Sequence, residues 1–135
     1  MALEEHPEGF YERFRDCAVR LTVLPAPDGH PLLELAGPEG LLYAFDRGAP
    51  PVPPGEQDVL LHGVARAFEP YRGPAYLRPL TGGGYRAAGQ VQKDLGGGFY
   101  CFDAGVRLLI HAAADWRVGD ELEVELAPPL MGFRP

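Results

Sequence analysis

Between Gly63 and Lys93 five basic residues, Arg66, Arg72, Arg78, Arg86 and Lys93, stand against one acid, Glu69, with Phe68, Tyr71, Tyr76 and Tyr85 interleaved among them. Arginine forks take phosphates and aromatic faces stack bases, so residues of these types on one small barrel are the parts of a single-strand nucleic-acid or other polyanion site. The ligand-binding set this reading selects is Arg66, Arg72, Tyr76, Arg78 and Arg86. The competing reading pairs these arginines across strands with Glu121, Glu123 and Glu125, neutralising one surface. A net charge of −7, a pI near 5.0 and a single lysine favour the pairing, because affinity for a phosphate backbone comes from accumulated positive charge.

Other chemistry has weaker signals. His62 and His111 lie mid-strand and are expected to face each other across a barrel, with Asp103 or Asp115 as further ligands if a metal is held there. His6 and His30 fall in surface segments, no two-histidine motif is present, and the expectation is no metal and no cofactor. Cys101, Asp103 and His111 hold the parts of a thiol nucleophile, yet Cys101 sits inside FYCFD, where burial among aromatics raises a thiol pKa and quenches reactivity. There is no serine, and Thr22 and Thr81 are the only aliphatic hydroxyls. The two triple-glycine runs, at 82–84 and 96–98, lack the following helix or Lys-Ser/Thr of a phosphate cradle and read as hairpin loops. No catalytic residue is selected.

These side chains are carried by a chain of 135 residues, one domain by size (residues 1–135) with enough apolar content to bury a core. Its 18 glycines and 15 prolines, in a chain 46% hydrophobic, call for many short strands joined by turns. The absence of Asn, the dense loop prolines and 11 arginines against one lysine suit a heat-adapted protein or a GC-rich genome. Neither a signal-length apolar run at the start nor a membrane-spanning stretch occurs, so a cytoplasmic setting with no membrane partner is expected. Cys17 and Cys101 are then expected as two reduced, buried thiols, with a disulfide as the thermophile's alternative.

The stretch Phe99–Leu126 carries the clearest pattern. Val106, Leu108, Ile110 and Ala112 alternate with Arg107 and His111, and Leu122, Val124 and Leu126 alternate with Glu121, Glu123 and Glu125. Ahead of it, residues 7–16 form the only helix candidate, with Phe10 and Phe14 at i and i+4 and Pro7 and Glu8 suited to the first turn; it is expected to plug one end of a sheet. Residues 17–24, 31–36 and 41–46 read as an antiparallel meander, 47–57 as a proline-rich surface crossover and 58–68 as a long strand bending at Gly63. Residues 75–80 read as an edge strand, because of Pro79, and 85–93 as a strand in preference to a helix. The tail 127–135 either docks Leu130, Met131 and Phe133 on the body or offers them to a partner.

The fold class expected is all-β, mostly antiparallel, a small barrel or sandwich of eight or nine strands with one short N-terminal helix. From Tyr85 to Leu126 the order is strand, glycine turn, two strands, then a Val118-Gly119-Asp120 turn into VGDELEVEL, which resembles part of an OB-fold or a similar small barrel. That resemblance implies a barrel architecture and no site residues. Three functions remain in view. The first is a non-catalytic binding or scaffolding domain, taking polyanions through its Arg/Tyr surface. The second is a small enzyme or metal-binding protein using His62 and His111. The third is a structural homodimer that joins sheet edges or swaps tails.

Overall fold

The structure, a computed structural model, describes residues 6–26, 30–48 and 52–135. Helix α1 (Pro7–Phe14) runs into a single 3-10 turn (Arg15–Cys17). Ten strands follow: β1 (Val19–Val23), β2 (Leu32–Gly37), β3 (Gly40–Asp46), β4 (Gly55–Pro70), β5 (Tyr76–Pro79), β6 (Tyr85–Gly96), β7 (Phe99–Asp103), β8 (Arg107–His111), β9 (Glu121–Leu126) and β10 (Met131–Phe133). The fold is all-β and mostly antiparallel, as the alternating patterns require. Among the described residues no helix is long and apolar enough to cross a membrane.

The central element is β4, which is 16 residues long and starts inside the segment expected to be crossover; residues 49–51 of that segment lie outside the described residues. Its length lets it serve two circuits of strand pairing. The second part of β4 pairs with β8 in parallel (His62↔Leu109) and with β9 antiparallel (Phe68↔Val124), and β8–β7–β6–β9 completes a closed five-stranded barrel. Its first part pairs with β1 (Val19↔Val59) and with β10 (Phe133↔Leu60), while the meander β1–β2–β3 returns through a parallel β3–β10 pairing. Both circuits follow one plan. Three antiparallel strands lead to a parallel partner, and a further antiparallel strand returns to the first. Gly63 stands where β4 passes from one circuit to the other, and a Cβ there would lie 3.0 Å from Leu126 Cδ1. The irregularity of β4 falls beyond it, between Ala65 and Ala67.

The C-terminal tail is an integral part of this arrangement. Leu130 and Phe133 are buried, β10 sits between β3 and β4, and Arg134 binds the Asp46 carboxylate through Nε and Nη2, both at 3.0 Å. Tail exchange is therefore not needed to cover these residues. On the far side, among the described residues β5 pairs only with β6, and it ends at Pro79, a short edge of the kind that resists further pairing. At Gly89 a Cβ would fall 1.8 Å from the Asp103 backbone oxygen, so only glycine permits the approach of β6 to the β7 end.

Alternation divides the apolar side chains into two layers. Val59, Leu61, Leu108, Ile110, Tyr100, Phe102 and Val124 point inward, in one cluster that also takes Leu21, Leu35 and Leu42 from the meander. Leu60, Leu109, Cys101 and Phe133 point outward from β4, β8, β7 and β10, and Tyr11 and Phe14 of α1 bury them. The helix thus covers an outer sheet face instead of plugging an end, because its apolar residues are aromatic and broad enough to roof four strands. This packing also brings Cys17 to Cys101. The two are joined by a disulfide, Cα–Cα 5.7 Å, where free thiols were expected.

Candidate functional site

The arginines of the sequence-selected set each meet a carboxylate. Strand β9 lies between β4 and β6, so its Glu125 is flanked from both sides. Arg66 places Nε and Nη2 each 2.8 Å from Glu125 Oε2, and Arg86 Nη2 lies 3.9 Å from Oε1 of the same side chain. Arg72 Nε lies 3.7 Å from Glu121. Arg78 turns away from β9 to Glu39, in the β2–β3 turn, at 3.2 Å, and its guanidinium lies 4.1 Å from the Tyr76 ring centroid. The Tyr76 hydroxyl donates to Glu123. Burial, reinforced by that carboxylate, pushes the Tyr76 pKa up to about 12. A shallow groove of about 320 Å³ runs along this surface, lined by Ala67, Phe68, Glu69, Arg86, Glu123 and Glu125. Its carboxylates outnumber its guanidinium, so the face carries no positive excess to attract an anion from a distance. These pairs are solvent-exposed, and each is worth at most about 1 kcal/mol.

His62 and His111 do come close, in a different place from the one expected. Parallel pairing of β4 with β8 sets His62 opposite Leu109 and Val64 opposite His111, which puts both imidazoles on the outer face. There His62 is ringed by Phe10, Phe99 and Phe133, with ring centroids 5.2, 6.1 and 6.3 Å away, and its Nε2 is buried with no hydrogen-bond partner among the described residues. Burial first, and then neighbouring His111, push its pKa down to about 4. His111 stacks on Phe99 at 4.5 Å. Asp103 is committed elsewhere, accepting the Gly105 backbone N–H at 2.9 Å, and Asp115 is exposed. Among the described residues no three His, Cys, Asp or Glu side chains converge on a metal position. Cys101, being disulfide-bonded, offers no thiolate to His111.

A feature that the sequence reading passed over is the outward side of β3. Leu42 and Ala44 face the core, while Leu41, Tyr43 and Phe45 face out at 45%, 40% and 39% exposure. They form half of the large apolar side chains exposed among the described residues. The signal was present in LLYAF, which is apolar at both parities. A strand of that kind asks for cover on two faces, and among the described residues only the inner face receives it. The stripe continues the outer face that α1 roofs, since Phe45 is the partner of Met131 on β10, which packs beneath the helix.

No protein-family model matches the chain, and no curated protein or solved structure matches it either.

Proposed function

We propose that this protein is a non-catalytic scaffolding or binding domain, an OB-like small barrel that works by surface contact through the outward side of β3. One observation carries the reading: Leu41, Tyr43 and Phe45 line a single strand face, each about two-fifths exposed. Folding leaves apolar side chains in such a row uncovered at a cost that a partner surface recovers. The plan of the closed barrel, a three-stranded meander returning through one parallel and two antiparallel pairings, supports the comparison with OB-like barrels. The test places the photo-crosslinking residue p-benzoylphenylalanine at position 43 in the intact chain. A crosslink to protein from position 43, absent from a more exposed control position, Val118, is the expected result. Equal yields at the two positions would overturn the reading.

A second reading keeps Arg66, Arg72, Tyr76, Arg78 and Arg86 as a polyanion surface. It is favoured by the exposure of their ion pairs, which a phosphate could replace at little energetic cost. Fluorescence anisotropy of labelled single-stranded DNA and RNA, at low and then raised salt, separates the two. On the scaffolding reading nothing binds at low salt. Binding that weakens with salt and is lost in Arg66→Ala/Arg78→Ala/Arg86→Ala would establish the polyanion surface instead.

A further inference from the structure

The roof that α1 forms over the outer face is held there by side chains. Phe10, Tyr11 and Phe14 pack with Leu60, Leu109 and Phe133, and among the described residues no backbone hydrogen bond ties the helix to a strand. A helix of eight residues is too short to persist alone in water, so the helical form of α1 depends on its docking. Its C-terminal end is fixed. Cys17, which closes the 3-10 turn, is bonded to Cys101 of β7, and the Asp16 carbonyl accepts Arg107 Nη1 at 3.2 Å.

Under the helix lies His62. Phe10 covers it, and its Nε2 is buried with no hydrogen-bond partner among the described residues. The elements around the imidazole present apolar or basic groups to it. Strand β7 offers Phe99, β10 offers Phe133, and β8 offers His111, stacked on Phe99 at 4.5 Å. From α1 the Arg13 guanidinium lies 5.4 Å from the Phe99 centroid, and Arg47, just beyond β3, lies 5.6 Å from that of Phe133. No carboxylate acts on His62, which feels burial first and then His111. A proton gained there creates a charge that no acid answers, on a ring whose Nε2 is cut off from water.

We infer that α1 is an acid-released flap: charging of His62 displaces the helix, which swings about its disulfide-pinned turn and opens the outer face of the sheet to water. The strands around His62 are locked by their pairing, whereas withdrawal of Phe10 is enough to hydrate the imidazole. With the flap open, His62 takes up its proton near the ordinary value of 6.5; covered, it does so only near 4. Acid therefore favours the open form by the ratio of these affinities, and between pH 7.5 and 4.5 the open-to-closed ratio rises roughly 70-fold. Opening bares Leu60, Leu109 and Phe133 beside Met131, the β10 partner of Phe45, and so enlarges the apolar surface that begins on β3. The inference goes beyond the reading of the β3 face as a contact surface and does not depend on it.

Amide hydrogen exchange of the full, disulfide-bonded chain tests this, followed residue by residue by NMR at pH 7.5 and 4.5 and scaled to the exchange of an unstructured peptide at each pH. The expected result is that protection of the Tyr11–Phe14 amides falls roughly 70-fold in acid and drops well below that of Leu108–Ile110 in β8. His62→Phe keeps the aromatic packing without the titration, and its α1 amides are expected to be as protected at pH 4.5 as at pH 7.5. His62→Gln, which adds no ring, is likewise expected to show no difference between the two. Near-ultraviolet circular dichroism checks that each variant is folded. Protection in α1 that ignores pH, a fall as large in both variants, or a fall that only matches that of β8 overturns the inference. Each of these outcomes leaves the crosslinking test at position 43 untouched.

Discussion

The Tyr85 hydroxyl closes a gap in the backbone of β3, accepting the Tyr43 N–H at 2.9 Å while lying 3.4 Å from the Tyr43 carbonyl oxygen, to which it donates. Tyr85 begins β6, in the closed barrel, and Tyr43 belongs to the meander, so one phenol joins the two circuits of strands. It also occupies the donor and acceptor that an added strand would need. Burial raises the pKa of this hydroxyl above its ordinary value, which keeps the donor protonated well into the alkaline range.

Tyr85→Phe keeps the ring and removes both bonds. The expected cost is about 1–2 kcal/mol, because Tyr43 is partly open to water and can recover some of the loss there. Urea unfolding measures it, and faster hydrogen exchange at the Tyr43 amide would locate it. An unchanged midpoint would mean that this bond contributes nothing net.

Stability should depend on pH through His62. Its ordinary pKa is 6.5 and the folded value is about 4, because the charged imidazolium is poorly tolerated among Phe10, Phe99 and Phe133 and beside His111. The unfolded chain therefore binds the proton more readily. The contribution is fully present above pH 6.5 and is lost progressively as pH falls towards 4, in all about 3 kcal/mol. Unfolding free energies at pH 7.5 and 4.5, for the native chain and His62→Phe, check this. The variant should lose most of the decline between those two values.

The disulfide should matter most to the unfolded chain. Cys17 and Cys101 are 84 positions apart, and cross-linking so distant a pair restricts the denatured ensemble by enough to stabilise the fold by about 2–4 kcal/mol. Thermal unfolding with and without a phosphine reductant tests it. Cys17→Ala/Cys101→Ala should match the reduced chain and be insensitive to reductant.

Strand identity was legible wherever one face of a strand is wet. Glu121–Leu126 alternates cleanly because β9 turns Leu122, Val124 and Leu126 to the core and its glutamates to solvent. Leu109 breaks the pattern of β8, being apolar on the outward face, for the sole reason that α1 roofs it. The same outward face that buries Leu109 under the helix leaves Phe45 exposed three strands away. Periodicity reports which residues share a face, and it is silent on what lies over that face.

The arginines illustrate the same limit. Their excess over acids between Gly63 and Lys93 is a property of the linear chain, and it is offset once β9 threads its glutamates between β4 and β6 and Glu39 meets Arg78. Charge along a segment becomes charge on a surface only through the neighbours that pairing supplies.

By itself the sequence determined the all-β class, the short helix and the turns, since these follow from local rules: alternation, the spacing of Phe10 and Phe14, and the conformational freedom of glycine. Tertiary structure alone decided that β4 serves two circuits, that the tail becomes β10, that Cys17 meets Cys101 and that both histidines lie outside the barrel. Each of these depends on contacts between residues remote in the chain, set by strand order and register, and no local pattern of residues encodes them.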